Sequence, residues 1–139
     1  MTELRFFPGS EQTIEILLDG TQTDGALSLM RLRMPPGAGA PLHRHRLEAE
    51  TIVVLSGELR VELEGAEHVL GEGEAIHLLA GSLHAFRTEP GAVVDVVATP
   101  AGLEDFFRVV CTEAPNDPPP AEEDVRAAFE RAGLDFSGA

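Results

Sequence analysis

The chain has no lysine, no tyrosine and no tryptophan, and its single cysteine is Cys111. Each absence removes a chemistry. Without lysine there is no Schiff-base nucleophile, and without tyrosine no phenolic acid catalyst. One cysteine closes no internal disulfide and builds no zinc–thiolate cluster. Positive charge is scarce as well: ten arginines face 24 acidic residues, a net charge of −14 at pH 7. Such an acidic surface repels phosphate backbones and anionic headgroups, which argues against nucleic-acid and membrane partners. No apolar run approaches the ~20 residues that cross a bilayer, and Met1-Thr2-Glu3 opens without the charged-then-apolar pattern of a secretion signal. The expected location is the cytoplasm.

What is present suits one globular domain with its own core: 139 residues, 43% of them hydrophobic, punctuated by 14 Gly and 10 Pro. Short apolar segments recur between turns. The expected strands are 13–18, 27–34, 42–46, 50–55, 58–63, 67–70, 75–79, 84–88 and 92–98. In "LRVELEGAEHVL", Leu59, Val61 and Leu63 alternate with polar residues and Gly65 supplies a hairpin turn. Many short strands at even spacing predict an all-β sandwich or barrel. The pattern then changes. Leu103, Phe106, Phe107 and Val110 form one helical stripe. The Pro-rich segment "EAPNDPPP" breaks it. A second helix follows, with acidic residues in its first turn, Arg131 in its last and Gly133 as a stop. Val125 and Phe129 are expected to dock it on the barrel. The expected division is a barrel with the first helix over 1–112, then a linker and packed helix over 113–139.

The stretch "HRHRLEAE" raises the chemical question. Alternate strand residues share a face, so His43 and His45 are co-facial while Arg44 points away. If the chain reverses before Glu50, that carboxylate returns beside the imidazoles. Two histidines and a carboxylate suit a divalent first-row metal; the plain alternative is a solvated polar turn. His84 opens another strand after a Gly81 turn, with Phe86 on its face, and is either a fourth ligand or a core histidine.

Spacing connects these segments. Gly37, five residues, His43, one, His45, four, Glu50, six and Gly57 resemble the first signature of the cupin superfamily, and Gly73, seven residues, Gly81, two and His84 resemble the second. Leu79 stands where the family usually has Pro, and Thr88 where it usually has Asn. The motifs lie at 37–57 and 73–88, and "TPAGLEDFF" with its Pro-rich sequel is similar to the quercetin-dioxygenase-like small cupins. The resemblance implies a cupin jelly-roll barrel with short C-terminal helices. It implies one divalent ion per chain, Fe(II), Mn(II), Ni(II) or Zn(II), held by His43, His45, Glu50 and His84. Four ligands leave two octahedral positions for substrate. In relatives with this motif the carboxylate can also take a substrate proton, which makes Glu50 the catalytic candidate.

The remaining candidates follow from position. Glu48 is a rival carboxylate that fits the spacing worse and reads as solvated. Pocket-lining candidates are Met30, Met34, Ile52, Val54, Phe86 and His77, the last a core or wall residue between Ile76 and Leu78. His68 reads as exposed; Arg31, Arg33 and Arg60 read as outer-face residues paired with acids. Val53 replaces a family aromatic, which leaves an apolar cavity suited to an apolar or aromatic substrate that chelates through oxygens. The expected activity is dioxygenase-like. Alternatives are a non-redox metal-dependent isomerase, cyclase or decarboxylase, and a non-catalytic sensor or storage protein. "TIEILL" is apolar on both faces, and with the family's habit it predicts a homodimer.

Overall fold

Along the strand Ser28–Met34 every second side chain is buried: Ser28, Met30, Leu32 and Met34. Arg31 and Arg33 point the other way, where Arg31 grips Asp95 through two bonds of 2.8 and 3.0 Å and Arg33 meets Glu15. That is the period-two pleat expressed as burial. The computed structural model describes residues 2–137, so the expected outer limits at 1 and 139 lie outside the described residues. In chain order the strands are β1 (Glu3–Phe6), β2 (Thr13–Leu18), β3 (Ser28–Met34), β4 (Gly39–His45), β5 (Ala49–Gly57), β6 (Leu59–Leu63), β7 (Ala66–Leu70), β8 (Ala75–Leu78), β9 (His84–Arg87) and β10 (Ala92–Thr99). Helices α1 (Leu103–Val110) and α2 (Glu122–Ala132) follow, then a two-residue strand, β11 (Leu134–Asp135).

All pairings are antiparallel. One sheet runs β1-β2-β3-β10-β5-β8 and the other β11-β4-β9-β6-β7. Their apolar faces close on each other as the all-β jelly-roll barrel that the sequence implied, with short C-terminal helices. The core between them includes Met30, Ile52, Val54, Leu59, Val61 and Leu78, each at most 2% exposed. Each such side chain contributes about 1.5–3 kcal/mol relative to exposure. The β6–β7 hairpin turns at Glu64 and Gly65, as its sequence predicts. Gly57 ends β5 at φ 83°, and a Cβ there would strike the Gly91 carbonyl, so only glycine fits.

Two strands lie outside the sequence expectation. β1 pairs with β2 and is bridged by Phe6 to Thr112 beyond α1. β11 adds to the edge of β4. Helix α1 is bolted to the barrel: buried Glu104 accepts from the Gly20 and Gly102 N–H groups, and Arg108 donates to Glu3, Asp19 and Asp105. Helix α2 docks chiefly on α1, with Phe129 edge-on to Phe106 at 4.9 Å, so its link to the barrel runs through α1 and β11. Among the described residues no helix is long and apolar enough to cross a membrane.

Candidate metal centre

The two motifs meet because β4 and β9 are neighbours. His43 lies opposite His84 in their register, and the Gly81 N–H donates to the His45 carbonyl at 2.7 Å. Gly81 makes the turn into β9 at φ 82°, a backbone state that favours glycine. Across the barrel, β5 presents Glu50, then Ile52 and Val54, toward the same interior.

Four side chains converge as a result. His43 Nε2 is 3.1 Å from His45 Nε2. Glu50 Oε1 is 3.0 Å from His45 Nε2 and 3.6 Å from His84 Nε2. One nitrogen from each of His43, His45 and His84 lies within 4.8 Å of the others. All four residues are buried, His84 to 2% exposure.

The outward ring nitrogens explain the aim. His43 Nδ1 sits 2.7 Å from the Pro41 carbonyl and His84 Nδ1 3.1 Å from the Ser82 carbonyl. A carbonyl only accepts, so each Nδ1 carries a proton and each ring turns its Nε2 inward. His45 Nδ1 meets Glu48 Oε1 at 2.8 Å, which has the same effect. Three imidazole nitrogens and a carboxylate oxygen aimed at one buried point need a cation or a shared proton between them. His84 Nε2 is also a buried atom without a hydrogen-bond partner. Both observations fit a divalent metal ion held by nitrogen and oxygen donors.

Charge follows from the same contacts. Burial pulls His43 down to about 4. Burial is also the largest single influence on His45, but the hydrogen bonds and charges of Glu48 and Glu50 outweigh it and raise the ring to about 9. Burial works against the Glu50 carboxylate, yet the His45 hydrogen bond and the nearby His84 hold it down at about 2. At neutral pH the metal-free centre therefore pairs an ionised Glu50 with a protonated His45 and keeps His43 neutral.

Two expectations change, and a third residue joins the site. Glu48 is not solvated: it is 5% exposed and bonded to His45. Sequence reasoning missed it because nothing local shows that the β4–β5 turn folds inward. His77 is not a pocket wall. Ile76 and Leu78 take the inward positions opposite Ile52 and Glu50, so His77 faces out and meets the Thr51 hydroxyl at 2.8 Å. The third is Phe136, which sequence reasoning passed over. It lies over His43, with ring centres 5.4 Å apart, and touches Phe129 behind it. Of the other pocket candidates, Met30, Met34, Ile52 and Val54 are buried core, and the half-buried Phe86 ring is 6.5 Å from His43.

Comparison with known proteins agrees with this fold. The cupin domain family matches residues 30–100, just over half of the chain. Quercetin 2,3-dioxygenase of Bacillus subtilis is 30% identical over 78 residues, which cover 56% of this chain and 23% of that protein. The chain thus spans less than a quarter of the length of the curated relatives it matches. The solved polyketide cyclase RemF of Streptomyces resistomycificus is 30% identical, with a TM-score of 0.57 over 67% of this chain and 68% of its own. An RmlC-like cupin of Shewanella frigidimarina shares the fold at 22% identity, with a TM-score of 0.63 over 73% of this chain and 86% of its own. Barrel, motif spacing and family match coincide on one segment, and the chain belongs to the cupin family.

Proposed function

We propose that this cupin is a metal-dependent enzyme of dioxygenase type acting on an apolar or aromatic small molecule that chelates through two oxygens. The observation that carries the reading is the convergence of three imidazole nitrogens and the Glu50 carboxylate on one buried point. His43, His45, His84 and Glu50 would hold Fe(II), Mn(II), Ni(II) or Zn(II). A bound ion would supply a Lewis acid with open positions for substrate oxygens. The chain's own residues do the rest. Glu50, ionised and 3.0 Å from His45, can accept a substrate proton at Oε1. Phe86 and Phe136 offer apolar ring surface beside His43 and limit water there. The dioxygenase relative supports the reaction type over its matched segment.

A second reading has its own support. The polyketide cyclase matches over two-thirds of both chains, whereas the dioxygenase match covers 23% of that enzyme. In a cyclase-like reaction the same residues would polarise a carbonyl without consuming oxygen. Anaerobic loading with Fe(II) followed by a flavonol or β-diketone tests both. A shift in the ligand spectrum that disappears in Glu50→Ala is expected. Oxygen uptake with loss of the ligand on admitting air supports the dioxygenase; a spectral shift with product but no oxygen uptake supports the cyclase-like reading. A metal-loaded protein that no chelating ligand perturbs overturns both.

A further inference from the structure

We infer that Glu48 is a positioning residue of the metal centre, setting the tautomer and donor strength of His45; the inference rests on the metal reading above. The three histidines are not held alike. His43 and His84 each lean on the backbone carbonyl two residues earlier, Pro41 and Ser82. Two residues before His45 stands His43, itself placed opposite His84 in the β4–β9 ladder. The acceptor for His45 is instead a carboxylate, supplied by the turn that follows β4.

That carboxylate is costly where it lies. Glu48 is 95% buried, and a buried charge without a specific partner destabilises a fold. Among the described residues its hydrogen-bond partner is His45 Nδ1 at 2.8 Å. Nor can Glu48 be a ligand in this arrangement, because it touches Nδ1, across the ring from the converging Nε2 atoms. A carboxylate on the outer nitrogen of a ligating imidazole fixes ring orientation and raises ligand basicity, more so than a neutral carbonyl. His45 is thereby the strongest nitrogen donor of the three, and its ring is fixed from both sides, by Glu48 on Nδ1 and by Glu50 near Nε2.

Co(II) titration with chelator competition, on wild type, Glu48→Gln and Glu48→Ala, tests this. Glu48→Ala removes the acceptor and should weaken Co(II) binding about 10–100-fold. Glu48→Gln keeps an acceptor oxygen without charge and should recover part of that loss. Nitrogen-15 spectra of the imidazoles in the Zn(II)-loaded forms read the tautomer directly: His45 should be Nδ1-protonated in wild type and Glu48→Gln. In Glu48→Ala its Nδ1 proton should lose the strong hydrogen-bond shift, while His43 and His84 stay unchanged. Equal Co(II) affinity in wild type and Glu48→Ala overturns the inference. So does an equal loss in both variants that follows a lowered melting temperature of the metal-free protein, since that is a packing role. If wild type itself takes up no Co(II) or Zn(II), the metal reading falls first and this one with it.

Discussion

The barrel and the C-terminal extension meet at the candidate metal centre but are held together by different means. Three of the converging residues, His43, His45 and Glu50, flank one tight reversal, and His84 sits one strand away in a register fixed by ladder hydrogen bonds. Every inward position is bracketed by buried neighbours such as Ile52 and Leu78. The extension is bolted at one end and latched at the other. Arg108 and Glu104 tie α1 to the first strands, whereas β11 joins β4 through two residues and the Arg46–Asp135 pair. Its covering residue, Phe136, is still 38% exposed. Rigid placement by the barrel thus supplies the converging His and Glu side chains, and placement by the extension supplies cover.

The largest expected effect falls on the barrel. His84 alone brings the second motif to the site, and its Nε2 has no competing hydrogen bond. His84→Ala should lose most of the metal that wild type carries when purified without chelator, as read by elemental analysis. The same variant should keep the antiparallel fold, since β9 is held by ladder bonds to β4 and β6. Full metal retention would mean that the cluster is a polar core feature.

The extension predicts a smaller, kinetic effect. Removing residues 134–139 deletes two ladder positions, the exposed Arg46–Asp135 pair and the Phe136 ring over His43. Bound metal should then pass to an external chelator about tenfold faster. Phe136→Ala should show part of that change. Stopped-flow chelation measures it, and identical rates in all three proteins would show that traffic to His43 uses another route.

The same contrast decides what the sequence made legible. Period-two patterning follows from the pleat itself, so β2 to β10 appear in the residues within one or two positions at each end in most cases. The His/Glu spacing is likewise local, because His43, His45 and Glu50 lie on strands consecutive in the chain, β4 and β5. Long-range closure leaves no such trace. A two-residue strand such as Leu134–Asp135 has no period, and nothing in "GLDF" announces that it will pair with Arg44 and His45. Glu48 was misread for a related reason: it borders a cavity of about 540 Å³ whose other wall comes from α1 and α2, far along the chain. His77 shows the limit of composition alone, since "AIHLL" is apolar around it but strand parity turns it outward.

The smallest expected effect concerns the bolt. Asp19 lies in the β2–β3 connection and is held at about 2, below the usual carboxylate range, first by the Thr21 hydroxyl and then by Arg108 of α1. A carboxyl whose folded-state value is depressed stabilises the fold above its unfolded value, near 4. That contribution should fade as pH falls from about 4 toward 2. Glu3 is lowered by the same guanidinium and should reinforce the trend. Asp19→Asn cannot ionise, so in metal-free protein its melting temperature should lie below wild type at pH 6, and the gap should close toward pH 2. Taking the difference between the two proteins removes the other acidic residues, which titrate in both. Because Asp19 is screened by solvent, the gap should be modest and should shrink further in high salt. A pH-independent gap would assign the loss to the Thr21 turn rather than to charge, and the bolt between α1 and the barrel would then rest on buried Glu104.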